Sequence, residues 1–172
     1  MNKKILIIAV VFLAMAILAT PVMAVPIKGQ KVPAILTVTE LVGFAPPTKD
    51  WITNGGINQF RELYQPHSFI LNIGDQDFTG HTDGFDNGKI DLEKNTLIIR
   101  AQAVYLVDGK DGGFVGIVHL KAYNFRFGAP ATWDWEVMHL VAQGFGDFEG
   151  QTLMVSYEGI QGGSRIGYCL KG

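Results

Sequence analysis

The feature that most constrains the fold is a repeated pattern of short alternating stretches separated by glycine-rich turns. From Val32 to Leu41, polar and apolar side chains alternate with the two-residue period of a β-strand. The chain has 21 glycines, and the stretches between them are rich in the Val, Ile, Thr, Phe and Tyr that favour strands. Only Ile57 to Gln65 has apolar residues at helical spacing. A strand is favoured there too, because its Gly-Gly start offers no N-cap and Pro66 requires an extended residue before it.

The same pattern predicts strands along the rest of the chain. We expect a hairpin formed by the longest alternating run, Thr96 to Val107, and the return segment Phe114 to Phe127, joined by the turn residues 108–113. Residues 83–88 are interpreted as a turn cluster, and residues 145–150 as a bulge or bend. The other predicted strands are 51–53, 67–73, 77–82, 89–93, 132–143, 151–158 and 164–170.

Eight or nine strands with short connections predict an all-β protein. So many strands either split into two layers or close on themselves, because an open twisted sheet leaves adhesive edges. We expect an antiparallel, closed or nearly closed barrel of about eight strands, with a two-layer β-sandwich as the alternative. The barrel is favoured because glycines recur inside the late strands, where a closing sheet must bend, at Gly116, Gly144, Gly146, Gly150, Gly159 and Gly167.

The last third of the chain carries a glycine-kinked hairpin motif. Its sequence is Gln143-Gly-Phe-Gly-Asp-Phe-Glu-Gly150, followed by Leu153-Met-Val-Ser-Tyr-Glu-Gly159. This stretch resembles small antiparallel barrels of the allene oxide cyclase and dirigent type, and uncharacterised exported proteins on a similar barrel. The resemblance implies about eight strands, frequent oligomerisation and a central cavity that in some members holds an apolar small molecule. It carries no active-site pattern onto this sequence.

The N-terminus has the organisation of a secretory signal peptide. Lys3 and Lys4 precede an apolar run from Ile5 to Ala19, and Pro21 and Ala24 follow at a plausible cleavage site. The alternative is a retained N-terminal anchor, but the run is shorter than the roughly 20 residues that span a bilayer. We therefore expect a signal peptide over residues 1–24, a single barrel domain over residues 25–172, and a secreted or extracytoplasmic location at the cell surface.

Composition limits the partners and the source of stability. The chain has 16 acidic and 14 basic side chains, and loss of Lys3 and Lys4 leaves a formal charge of about −4, which offers no surface for nucleic acid. No membrane association is expected after signal removal. Cys169 is the only cysteine, so no intramolecular disulfide forms. No cofactor is indicated, and the candidate partners are a small apolar molecule and further copies of the chain.

Aromatic residues on the central hairpin and the strand after it are the candidate ligand-binding set. If one face of these strands lines the barrel interior, the aromatic rings either fill the core or surround an apolar ligand. The residues are Tyr105, Tyr123, Phe125, Trp133 and Trp135.

Two further groups of residues are weaker candidates for a functional site, one for catalysis and one for calcium binding. Asp134 and Glu136 lie two apart on a predicted strand and so face the same way, which is the arrangement required of a carboxylate pair in acid–base catalysis. Asp83, Asn87 and Asp91 fall at positions one, five and nine of a calcium-loop pattern, but the third and twelfth positions are not ligands. A solvated turn is the simpler interpretation of the latter segment, and no metal site is assigned.

Together these features favour a non-catalytic exported barrel that binds a small apolar ligand or a partner surface. The alternatives are a self-assembling structural protein of the cell surface and a cyclase-like or hydrolytic enzyme.

Overall fold

The computed structural model describes residues 29–53, 55–127 and 131–172. Its ten strands are β1 (Gln30–Leu41), β2 (Lys49–Thr53), β3 (Ile57–Tyr64), β4 (His67–Ile73), β5 (Gln76–Asp91), β6 (Thr96–Val107), β7 (Gly112–Tyr123), β8 (Trp135–Gly146), β9 (Gln151–Gly159) and β10 (Arg165–Lys171). Within the described ranges, no helix has the length and apolar character needed to cross a membrane. The predicted signal peptide, residues 1–24, lies outside these ranges.

Eight strands form a closed antiparallel barrel, which confirms the predicted fold class. Around the barrel the order is β4, β1, β10, β9, β8, β7, β6 and β5, and the first half of β5 pairs back with β4 to close the ring. The second half of β5 pairs with β3, and β3 with β2. Strands β2 and β3 therefore extend the sheet outside the ring, so ten strands replace the eight or nine expected.

Strand β5 corrects the predicted turn at residues 83–88. It runs without interruption from Gln76 to Asp91 and pairs with β6 along residues 80–91. The glycines of this segment are packing residues: a Cβ on Gly84 would lie 2.3 Å from the Gln102 carbonyl oxygen, and one on Gly88 would lie 2.4 Å from the Phe60 ring. Glycine and aspartate are typical of turns, and for this reason the composition of residues 83–88 predicted a turn where the strand is continuous.

Two other boundaries differ from the expectation. Strand β7 ends at Tyr123, earlier than the predicted 127, and the next residue, Asn124, has a φ of 53°. Strand β8 extends to Gly146, whose φ of 61° leads into a tight turn over residues 147–150. The predicted bend at 145–150 is therefore a strand end followed by a hairpin turn.

Inward side chains of the strands, together with Phe148 from the turn over residues 147–150, fill one end of the barrel. Phe114 and Phe148 are in contact there, with ring centroids 4.9 Å apart, and Phe78 meets the ring of Phe148 edge-on at 5.4 Å. Leu153 and Cys169 are fully buried in the same cluster. This filled end provides the hydrophobic core of the barrel.

A row of small inward residues crosses four strands at mid-barrel. Gly84 pairs with Ala103, Ala103 with Gly116, and Gly116 with Ala142. The strands approach so closely that a Cβ on Gly116 would lie 2.2 Å from the Val141 carbonyl oxygen. Because no large side chain projects from Gly84 or Ala103, the barrel stays open above this row.

Candidate functional site

The unfilled end of the barrel contains a cavity of about 460 Å³. Ala103, Tyr105 and Met138 belong both to the core cluster and to the cavity lining, so they form the floor. The apolar part of the wall consists of Val38, Leu41, Ile99, Val118 and Leu120. The volume lies within the range of small-molecule sites, and the mixed lining is typical of them.

A buried ion pair is fixed at one side of this cavity. Glu136 is fully buried, and its Oε1 accepts a hydrogen bond from Nη2 of Arg165 at 3.3 Å. Its Oε2 accepts a hydrogen bond from Nε1 of Trp133 at 2.7 Å. Nη1 of Arg165 donates to the Gly163 carbonyl at 2.8 Å, and the guanidinium lies over the Tyr157 ring at 5.8 Å. The charge of Arg165 is therefore balanced by Glu136 and its position is set from several sides.

Asp86 faces the same cavity without such a partner. It alternates inward on β5 with Thr82, Gly84 and Ile90, and it lines the cavity. Within the described residues, its carboxyl takes part in no hydrogen bond or salt bridge. Burial raises the pKa of this carboxyl to about 6. The cavity therefore contains a half-buried acid that is mainly ionised at neutral pH.

Tyr105 and His67 add two further polar groups to the lining. Burial raises the pKa of the Tyr105 hydroxyl, and the ring packs edge-on against Phe69 with centroids 5.5 Å apart. Burial lowers the pKa of the His67 imidazole, and the nearby charge of Arg165 lowers it further, against a hydrogen bond to the Gln65 backbone that raises it. Both groups are therefore uncharged at neutral pH.

Gln161 ties together the two loops at the mouth of the cavity. Its Oε1 accepts a hydrogen bond from the Trp133 backbone at 3.2 Å, and its Nε2 donates to the Ala131 carbonyl at 3.3 Å. Both Gln161 and Trp133 line the cavity. The mouth is therefore held by side-chain hydrogen bonds as well as by the strands.

The five predicted ligand-binding residues separate into three environments. Tyr105 and Trp133 line the cavity. Tyr123 and Trp135 are cross-strand partners on the outside of the barrel, and Trp135 is 43 % exposed. Phe125 is buried in a second, smaller cluster with Phe60, Ile90, Leu97 and Ala122, where its ring stacks on Trp133. The structure thus brings two of the five to the cavity and places the others elsewhere.

The candidate catalytic carboxylates do not lie together. Glu136 is the second residue of β8 and points into the barrel, whereas Asp134 precedes the strand, is exposed and forms a salt bridge with Arg126. The expectation that both face the same way is wrong, because the regular alternation begins only at Trp135. The inward carboxylate that shares the cavity with Glu136 is Asp86.

The three residues of the calcium-loop pattern are separated along β5. Asp83 and Asp91 lie eight positions apart on an extended strand, a span of about 26 Å. Asn87 accepts a hydrogen bond from the Glu62 backbone at 3.1 Å, and Asp91 forms a salt bridge with Lys94 at 3.1 Å. Across the part of the chain that the structure describes, no group of three or more metal-ligating side chains comes together.

Sequence reasoning missed several polar residues of the cavity, among them His67, Asp86 and Arg165. Asp86 was assigned to a turn, although Phe78, Thr82, Asp86 and Ile90 fall on the same side of an uninterrupted alternation. That alternation was the available signal. Arg165 and His67 begin their strands, where the sequence alone does not distinguish an inward from an outward first residue.

No protein-family model, curated protein or solved structure matches this chain.

Proposed function

We propose that the protein is a non-catalytic binding protein whose ligand, a small and largely apolar molecule, occupies the cavity at the open end of the barrel. The observation that carries the proposal is the contrast between the two ends. One end is filled by aromatic and aliphatic side chains, whereas the other keeps about 460 Å³ above a row of glycine and alanine. A barrel that needed its interior only for stability would be expected to fill both ends.

The lining supports binding in preference to catalysis. Glu136 and Arg165 form an ion pair, and Trp133 donates to the second carboxylate oxygen, so both side chains are held in place by contacts within the protein. The remaining wall includes the aliphatic side chains of Val38, Leu41, Ile99, Val118 and Leu120. The resemblance of residues 143–159 to allene oxide cyclase and dirigent barrels, some of which hold an apolar molecule centrally, agrees with this proposal. An extracytoplasmic location, proposed from the N-terminal sequence, would give such a protein access to ligands outside the cell.

Filling the cavity tests the proposal. Ala103→Leu places a larger side chain at the cavity floor, between Gly84 and Gly116. We expect the affinity for the neutral dye N-phenylnaphthylamine, measured by its fluorescence increase, to fall at least tenfold. The matched control is Gln102→Leu, which adds the same side chain at the adjacent exposed position and should leave dye binding unchanged.

Native mass spectrometry of the purified protein provides the complementary measurement. A small mass that co-purifies with the wild type and is lost from Ala103→Leu supports the proposal. Equal dye affinity in the wild type and in a folded Ala103→Leu variant would contradict it, because the dye would then bind elsewhere.

A further inference from the structure

The cavity lining carries more negative than positive charges. Three carboxylates border it, those of Glu40 at the exposed rim, Asp86 within and Glu136 beside the floor. Arg165 is the one lysine or arginine among the lining residues. At neutral pH the lining therefore has a formal charge of about −2.

The single guanidinium does not compensate Asp86. Arg165 is paired with Glu136 at 3.3 Å, which accounts for its charge. Asp86 is left as a carboxylate that faces the cavity with no cation in contact within the described residues. A carboxylate that has lost part of its hydration is stabilised by an opposite charge brought to it.

From this arrangement we infer that the ligand is an organic cation, an apolar body with one protonated amine that pairs with the carboxylate of Asp86. This inference rests on the proposed function, because it assigns a chemical class to the occupant of the same cavity. The aliphatic wall receives the apolar body. Tyr105 and Trp133, both in the lining, add aromatic rings, a residue type that attracts positive charge. Glu40 at the rim favours the approach of the same charge.

Three naphthalenes substituted at the same ring carbon separate the inference from the proposed function. Naphthylmethylamine carries a positive charge, ethylnaphthalene carries none and naphthoate carries a negative charge. Binding of each to the purified protein is measured by titration calorimetry at pH 7.5. We expect the amine to bind at least tenfold more tightly than ethylnaphthalene, and naphthoate to bind most weakly.

Substitution of Asp86 identifies the group responsible. Asp86→Asn keeps the size of the side chain and removes its charge, so the amine should lose its tenfold advantage over ethylnaphthalene. The control is Asp83→Asn, an exposed residue that faces outward on the same strand, which should retain the advantage. Circular dichroism confirms that both variants fold.

The pH dependence gives a second readout in the wild type. The charged or titratable groups that face Asp86 across the cavity are Glu40 from β1, His67 from β4, Tyr105 from β6, Glu136 from β8 and Arg165 from β10. Between pH 7.5 and pH 5 the carboxyl of Asp86 takes up a proton, so the advantage of the amine over ethylnaphthalene should fall. In Asp86→Asn the amine should no longer respond to pH, which distinguishes Asp86 from its neighbours.

The outcomes differ for the two proposals. Equal binding of the amine and ethylnaphthalene, or preferential binding of naphthoate, overturns the cationic ligand and leaves the apolar cavity site intact. Binding of none of the three overturns both. An amine preference that survives Asp86→Asn also overturns the inference.

Discussion

At the scale of the single residue, Asp86 and Glu136 illustrate two ways in which a barrel accommodates an inward acid. Glu136 is fully buried and has a partner for each oxygen, Arg165 and Trp133. Asp86 has none among the described residues, and burial raises its pKa to about 6. Glu136 is therefore held by its partners, whereas Asp86 lowers the stability of the folded state whenever it is ionised.

Asp86→Asn should therefore stabilise the protein at neutral pH. The folded-state pKa of about 6 lies above the ordinary value of 3.8, so the folded state takes up the proton first as pH falls. The contribution of Asp86 to stability should then decrease as pH rises from about 4 to 6, and stay low above that. At pH 7.5 we expect the variant to be more stable by roughly 1 to 3 kcal/mol.

Urea unfolding of both proteins at pH 4.5 and pH 7.5 measures this difference. The advantage of Asp86→Asn should shrink at the lower pH, where the wild-type carboxyl is largely protonated. An Asp83→Asn control should show no comparable gain, because that side chain is exposed on the outside of the barrel. A variant less stable than the wild type at pH 7.5 would mean that Asp86 has a stabilising partner.

At the scale of the element, the inward glycines determine where the barrel is narrow and where it is hollow. Gly116→Ala introduces a Cβ 2.2 Å from the Val141 carbonyl and 2.5 Å from the Ala142 Cβ. The neighbours are backbone and a small side chain, so they cannot move aside without displacing β8. We expect a loss of about 3 kcal/mol in the free energy of unfolding.

The matched comparison is Gly109→Ala, in the turn between β6 and β7. A Cβ there meets nothing within 4 Å, and the φ of 69° alone opposes the substitution. That strain should cost about 1 kcal/mol. Thermal melts of the two variants check the order. If Gly109→Ala were the more damaging, backbone conformation and not the close approach of strands would be the main role of glycine here.

The same elements show what the sequence could predict. The alternation around Thr96 to Val107 fixed the bounds of β6 correctly, and Ile57 to Tyr64 is a strand as expected. The predicted turn at residues 83–88 is wrong because glycine is typical both of turns and of inward strand positions where two strands approach closely. Whether a glycine marks a turn or an inward strand position here depends on how closely β5 approaches β6. That distance is set by the tertiary structure and cannot be predicted from the local sequence.

The cavity was harder to predict than the fold for a related reason. Alternation predicts that Trp135 and Glu136 lie on opposite faces of β8, but it does not predict which of the two faces is the interior of the barrel. The aromatic face, with Trp135 and Tyr123, turned out to be the outside. Only the closure of β5 onto both β4 and β6 decides this, and that pairing joins residues far apart in the chain.

At the scale of the whole molecule, closure removes both free edges of the eight-stranded ring, so that its strands should open together. Cys169 is a natural reporter of this property. Its thiol is fully buried on β10, between β1 and β9, and burial raises its pKa, which slows its reaction with disulfide reagents. We expect no labelling of the native protein on the timescale of minutes.

Labelling should begin only where urea unfolds the barrel, with the same midpoint as the loss of far-ultraviolet circular dichroism. A Ser156→Cys variant supplies the control, since that exposed position faces outward on β9 and should react at once in the native state. If Cys169 were labelled well below the unfolding midpoint, the seam between β1, β10 and β9 would open separately from the rest. The barrel would then open locally at this seam before it unfolds globally. A ligand could in that case enter the cavity through the seam as well as through the mouth held by Gln161.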